Sequence, residues 1–101
     1  MPGYMYILLC SDGTYYVGST KNLKRRFYQH NSGNGANHTK KRLPVTLAYV
    51  EVFDNVYMAY KRERQLHNWG HNKKKALIEA NYEWLHILAE CKNDSHWKNI
   101  E

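Results

Sequence analysis

Apolar and polar positions change period several times along the 101 residues, and the changes divide the chain into short elements. Residues 4–10 (YMYILLC) form an apolar and aromatic run suited to a strand, Ser11-Asp12-Gly13 supplies turn chemistry, and residues 14–19 (TYYVGS) resume the strand pattern. Together they predict a β-hairpin, and its loop length decides what the side chains face. A two-residue Asp12-Gly13 turn pairs Leu9 with Tyr16 and puts Tyr6 and Tyr16 on opposite faces. A three-residue Ser11-Asp12-Gly13 loop, with Gly13 left-handed at a bulge, pairs Leu8 with Tyr16 and Tyr6 with Gly18. That register gathers Tyr4, Tyr6, Tyr16 and Gly18 on one face and Met5, Ile7, Leu9 and Val17 on the other. Its coherence favours it.

Residues 21–32 (KNLKRRFYQHNS) predict a helix, with Thr20 or Asn22 as the N-cap and Leu23 and Phe27 facing the core at i, i+4. Arg26 and His30 form a second i, i+4 pair on a neighbouring stripe. The stretch Gly33–Arg42 (GNGANHTKKR) reads as a mobile basic loop, and Pro44 introduces a third strand, Val45–Phe53. Asp54 or Asn55 then caps a helix from about Val56 to Trp69, whose inward stripe by spacing is Val56, Ala59, Tyr60, Glu63, Leu66 and His67. Gly70 ends it. Asn72–Ala80 predicts a short basic helix, and an amphipathic segment, Tyr82–Cys91, precedes a polar tail. The order of elements predicts an α/β (α+β) domain spanning 1–101, with a core over about 3–84: a small three-stranded antiparallel sheet flanked by helices.

Composition adds partners to this outline. The formal net charge is +6, from 15 Lys+Arg against 9 Asp+Glu, which favours a polyanionic partner, nucleic acid being the commonest. Nine tyrosines supply groups that both pack and hydrogen-bond phosphates. The two cysteines, Cys10 and Cys91, have no CxxC spacing, so neither a disulfide framework nor a Cys-based zinc site is expected. No apolar run approaches the roughly 18–20 residues of a membrane span, so no membrane association is expected, and the chain reads as a soluble, cytoplasmic protein. The histidines are scattered, and Gly70 interrupts the nearest ligand-like pair, His67 and His71.

Glu63 is the most informative residue found by spacing, because an unpaired carboxylate on an apolar stripe is costly. Three explanations stand open: a buried ion pair with an arginine, a helix twisted enough to expose the carboxylate, or a divalent-metal ligand completed by phosphate and water. Arg26 and His30 fit either a basic helix surface or a site where Arg stabilises phosphoryl charge and His relays a proton. Tyr6 and Tyr16 either pack on the sheet or position water and phosphate, with Gly18 letting the backbone approach closely. Basic clusters that could bind the polymer are Lys24 and Arg25, His38 with Lys40, Lys41 and Arg42, and Lys73 with Lys74. A solvated basic face is the alternative for each.

The joint order of these residues resembles the GIY-YIG endonuclease superfamily, especially its small stand-alone members of the UPF0213 type. The first motif stands as Tyr4-Met5-Tyr6 and the second as Tyr16-Val17-Gly18. Arg26 and His30 match the RxxxH segment, and Ala59–Leu66 is similar to the segment carrying the metal-binding glutamate at Glu63. Asn81 resembles the late asparagine, although Tyr82 replaces the usual proline after it. The resemblance implies a phosphodiester hydrolase using one Mg²⁺ or Mn²⁺ on DNA, structured or damaged DNA in repair included. Glu63 would hold the metal, Tyr16 would act as base or position water, Arg26 would stabilise charge, Tyr6 and His30 would orient water or phosphate, and Asn81 would support the site. It leaves open a catalytically weak binding or accessory module of the same fold. Larger members carry a separate DNA-binding domain, so specificity here would come from the domain surface or from a protein partner.

Overall fold

The structure, a computed structural model, describes residues 1–81. The expected Tyr82–Cys91 segment and the polar tail lie outside the described residues. The chain runs β1 (Gly3–Leu9), β2 (Tyr15–Thr20), α1 (Leu23–Asn31), α2 (Asn37–Lys40), β3 (Thr46–Phe53), α3 (Val56–His67) and α4 (His71–Ala80). The strands form one antiparallel sheet of order β2-β1-β3.

The hairpin adopts the odd-loop register. Tyr6 pairs with Gly18 and Leu8 with Tyr16, and the Cys10 amide donates to the Thr14 carbonyl across the loop at 2.9 Å. Gly13 sits at φ 86°, the left-handed conformation that a three-residue hairpin loop requires and glycine adopts freely. Both edges of the central strand β1 are paired, and helices cover both of its faces. Met5 and Ile7 on one face and Leu8 on the other are each 0% exposed, and Tyr6 is 2% exposed. The tyrosine face is therefore interior, closed by α1 through Phe27 and His30, while α3 closes the opposite face through Ala59 and Leu66. Each large apolar side chain so enclosed contributes about 1.5–3 kcal/mol, which makes the crossing of β1 between two helices the main source of cohesion. The β1–β3 ladder slips between Ile7 and Leu8, leaving Ala48 as the extra residue of a bulge.

Helix boundaries follow local chemistry. Asn22 caps α1 by accepting from the Arg25 amide, and Asn55 caps α3 by accepting from the Met58 amide. Three expectations need correction. The α3 helix stops at His67 with Asn68 as its C-cap, and Gly70 begins α4 as its N-cap. Tyr60 and His67 point outward: each follows a buried residue by one position, a rotation of roughly 100° around the helix. The 33–42 segment contains the helical turn α2 and buries Thr39 completely, for reasons that belong to the site.

Candidate phosphodiester-binding site

The site grows from the tyrosine face of the hairpin. Tyr6 projects from the middle of β1 across Gly18 of β2. A Cβ at Gly18 would come within 2.5 Å of the Tyr6 Cζ, so only a glycine there lets the phenol lie flat against the backbone. The Tyr6 hydroxyl meets His30 Nε2 of α1 at 2.9 Å, and His30 Nδ1 meets Thr39 Oγ1 of α2 at 2.8 Å. The Thr39 hydroxyl spends its one proton on the Ala36 carbonyl at 3.0 Å. Thr39 must therefore accept from His30, which places the imidazole proton on Nδ1 and leaves Nε2 as the acceptor of the Tyr6 hydroxyl. His30 and Thr39 are both 0% exposed.

This chain of bonds fixes protonation. Burial, reinforced by the Arg26 charge, pushes the His30 imidazole down to about 4, so it is neutral at physiological pH. Burial pushes the Tyr6 phenol well above the usual tyrosine range, and the neighbouring Arg26 opposes the shift without cancelling it. Tyr16, at the edge of the cleft, is raised first by burial and then by the Glu63 charge, with Arg26 again opposing. Its ring lies 5.2 Å from that of His30 and 6.1 Å from that of His38. Arg26 itself is steadied by donating from Nη1 to Gln29 Oε1 at 3.0 Å. Two phenols, one guanidinium and one carboxylate thus feel one another's charge.

Glu63 reaches this cleft from α3 on the far side of the sheet, at the exposed edge of β2. Its Oε1 accepts from the Ser19 hydroxyl at 2.6 Å and its Oε2 pairs with His67 Nε2 at 2.9 Å. The side chain is 16% exposed. Of the three explanations for its place on the stripe, the arginine pair is therefore replaced by a serine and a histidine, and the carboxylate is only slightly exposed. Among the described residues, no three His, Cys, Asp or Glu side chains group together. The oxygen donors here, the Glu63 carboxylate and the Ser19 hydroxyl, suit a hard cation that draws the rest of its shell from phosphate and water, whereas the His67 imidazole does not and would have to leave the carboxylate.

The remaining candidates are spread over three helices. Arg25 is exposed on α1 and Lys24 half-buried beside it. Lys40 and Lys41 are exposed at the end of α2, whereas His38 and Arg42 are engaged in holding the segment. Arg42 donates to Asp12 Oδ2 at 2.8 Å and to the His38 carbonyl at 2.9 Å, and His38 Nε2 meets the Thr14 hydroxyl at 3.0 Å. These ties, with Thr39 to His30, explain why a stretch with two glycines and a basic cluster is folded against the hairpin. Lys73 lies 4.3 Å over the Trp69 ring, and burial lowers the Lys74 ammonium. Asn81 is exposed at the end of α4 and donates to the Leu77 carbonyl of its own helix at 2.9 Å. His67 and His71 serve different partners, Glu63 and the stacked Tyr15 ring at 4.6 Å.

Residues 2–76 match the GIY-YIG catalytic domain family. The chain belongs to that family. This GIY-YIG domain is 43% identical over 75 residues to a UPF0213 protein of Halobacterium salinarum, covering 74% of this chain and 97% of the relative. It is 44% identical to a UPF0213 protein of Staphylococcus saprophyticus over 74% of this chain and 92% of that one. The solution structure of a UPF0213 protein from Bacillus halodurans superposes with a TM-score of 0.53 at 34% identity, covering 80% of this chain and 86% of the other. A protein from E. faecalis, also solved in solution, gives 0.55 at 35% identity over 79% and 85%. Among the described residues, no helix of the GIY-YIG domain is long and apolar enough to cross a membrane.

Sequence reasoning missed Ser19, Thr39 and the Glu63–His67 pairing. The last had a signal, since the two stand at i, i+4. Ser19 follows Gly18 on the opposite face of β2, a parity clue once Glu63 is placed on α3. Thr39 had none, because its role exists only after the 33–42 segment folds back onto α1.

Proposed function

We propose that this chain is a nucleic-acid-binding module of the GIY-YIG fold in which holding a phosphodiester outweighs cutting it. The observation that carries the reading is Arg26, a braced guanidinium close enough to Tyr6 and Tyr16 to act on both phenols. A guanidinium beside two phenols suits a phosphate oxygen, which it would hold through charge-assisted bonds. The other polar groups of the cleft are already committed. His30 is enclosed and neutral, so it fixes Tyr6 and does not exchange protons with a ligand. Both oxygens of Glu63 are satisfied within the protein. DNA is the polymer we assign, with the net charge of +6 supplying the general attraction.

The test uses labelled duplex, nicked, flap and branched DNAs. Salt-sensitive binding is expected, and Arg26→Ala should weaken it about tenfold, the value of one charge-assisted contact of ~1.4 kcal/mol. Absence of binding, or binding indifferent to Arg26→Ala, would overturn the reading.

A second reading, a metal-dependent endonuclease, is favoured by the Glu63 charge being felt at both phenols. In it Glu63, with His67 released, holds one Mg²⁺ or Mn²⁺, which when bound supplies polarisation of the phosphate and stabilisation of the leaving oxygen. Tyr16 orients the attacking water, Arg26 bears the developing charge, and Asn81 supports the site. Since burial and Glu63 both raise Tyr16, it is a poor base without that help. Metal-dependent cleavage lost in Glu63→Ala would establish this reading over the first, and a partner protein could then direct it to particular DNA forms.

A further inference from the structure

The outward face of α3 is unusual in what it exposes. Tyr57 is 66% and Tyr60 47% exposed, the two standing at i and i+3 with Lys61 and Arg64 at i+4 and i+7. That spacing puts all four on one stripe, turned away from the buried Ala59 and Leu66. Each cation rests on the tyrosine one turn before it: Lys61 Nζ is 5.6 Å from the Tyr57 ring centre and the Arg64 guanidinium carbon 6.0 Å from that of Tyr60. A helix face that serves only solubility pairs its cations with carboxylates three or four residues away. Here none of those positions is acidic: around Lys61 stand Tyr57, Met58, Arg64 and Gln65, and around Arg64 stand Tyr60, Lys61, His67 and Asn68.

From this juxtaposition we infer that the outer face of α3 is a binding track for single-stranded nucleic acid, with bases stacking on Tyr57 and Tyr60 and phosphates neutralised by Lys61 and Arg64. Exposed rings interleaved with cations that have no carboxylate three or four residues away are the two components of sequence-tolerant single-strand binding. Position supports the same occupant. Tyr60 lies one turn before Glu63 on the side of the helix that carries Glu63 and His67, so the stripe adjoins the phosphodiester cleft. A strand whose phosphate occupies the cleft would continue over Tyr60 and then Tyr57. The inference rests on the nucleic-acid reading above and adds the strandedness of the polymer and a second surface.

The test compares the full chain with two exposed-face variants, Tyr57→Ala/Tyr60→Ala and Lys61→Gln/Arg64→Gln. The probes are a labelled oligothymidylate of about sixteen nucleotides, the upper end of common site sizes, and an abasic strand of equal phosphate number. The tyrosine variant should bind the oligothymidylate about tenfold or more weakly while holding the abasic strand as the wild type does. The lysine–arginine variant should lose affinity for both, with the salt slope reduced by roughly one for each cation. Wild-type affinity of the tyrosine variant for the oligothymidylate overturns this inference alone, provided Arg26→Ala still weakens binding. Failure of the wild type to bind any nucleic acid overturns both. Binding to phosphatidylserine vesicles that the tyrosine variant loses, with no binding to oligothymidylate, would assign the stripe to a lipid surface instead.

Discussion

Thr39→Val is the most direct examination of the buried relay. Valine preserves the branched shape and volume of threonine, so the change removes the hydroxyl and little else. The hydroxyl has two duties, accepting from His30 Nδ1 at 2.8 Å and donating to the Ala36 carbonyl at 3.0 Å. Both Thr39 and His30 are 0% exposed, so water cannot replace the lost partner of the imidazole N–H. A buried donor left unsatisfied costs about 1–3 kcal/mol, and the weakened Ala36 contact adds a fraction of that, giving roughly 2–3 kcal/mol. For a domain of this size the melting temperature should fall by about 10 °C or more. Urea unfolding and thermal melts would measure the loss, and nitrogen NMR of the imidazole would report whether the Nδ1–H tautomer persists. Thr39→Ser should restore both the stability and the tautomer. A valine variant as stable as the wild type would refute the assigned direction of the hydrogen bonds.

Two further outcomes follow from the same cleft and its surroundings. Acid should destabilise the fold in separable steps. His30 titrates at about 4 in the fold, below its ordinary 6.5, so its contribution is present above pH 6.5 and is lost as pH falls toward 4. The loss is on the order of 3 kcal/mol and should vanish in a His30→Gln variant followed by urea titration over that window. The Thr14 hydroxyl and amide, with Arg42 beside them, hold the Asp12 carboxyl at about 2, so its clasp should release only between pH 4 and 2. Gly18→Ala should destabilise by about 1–3 kcal/mol through overpacking, because the rigid Tyr6 ring cannot yield. An alanine variant with native stability and an unchanged near-UV signal from Tyr6 would count against the close approach.

What was legible in the sequence were features decided over a few residues. The odd hairpin loop followed from comparing two registers, and Asn22 and Asn55 stood among the candidate caps because capping is local chemistry. Tyr60 and His67 were misplaced because a six-residue stripe overestimates what one short helix can press against a sheet, and Ala59 and Leu66 are its fully buried residues. The 33–42 segment read as mobile because its composition carries no apolar stripe. What orders it is long-range: Thr39 bonds a histidine nine residues away, and Arg42 an aspartate thirty residues away. Such pairs have no period for a sequence to display. The tyrosine face was legible as a face, but its enclosure required knowing that α1 and α2 fold over it through His30 and Thr39.

The three-residue hairpin loop also bears on which changes of chain length this domain can absorb. Strand side chains alternate with a period of two, so the closure of the loop by Cys10 and Thr14 sets the face of every residue downstream in β2. A slip of β2 by one residue against β1 would exchange the roles of Gly18 and Ser19: the residue without a Cβ would move to the α3 side, and a hydroxymethyl group would be driven into Tyr6. Closing a longer loop is entropically mild, each doubling costing only about 0.6 kcal/mol. Insertions between Cys10 and Thr14 should accordingly be tolerated whether odd or even in number while those two residues still close the loop, so that the closure, more than the loop length, guards the cleft.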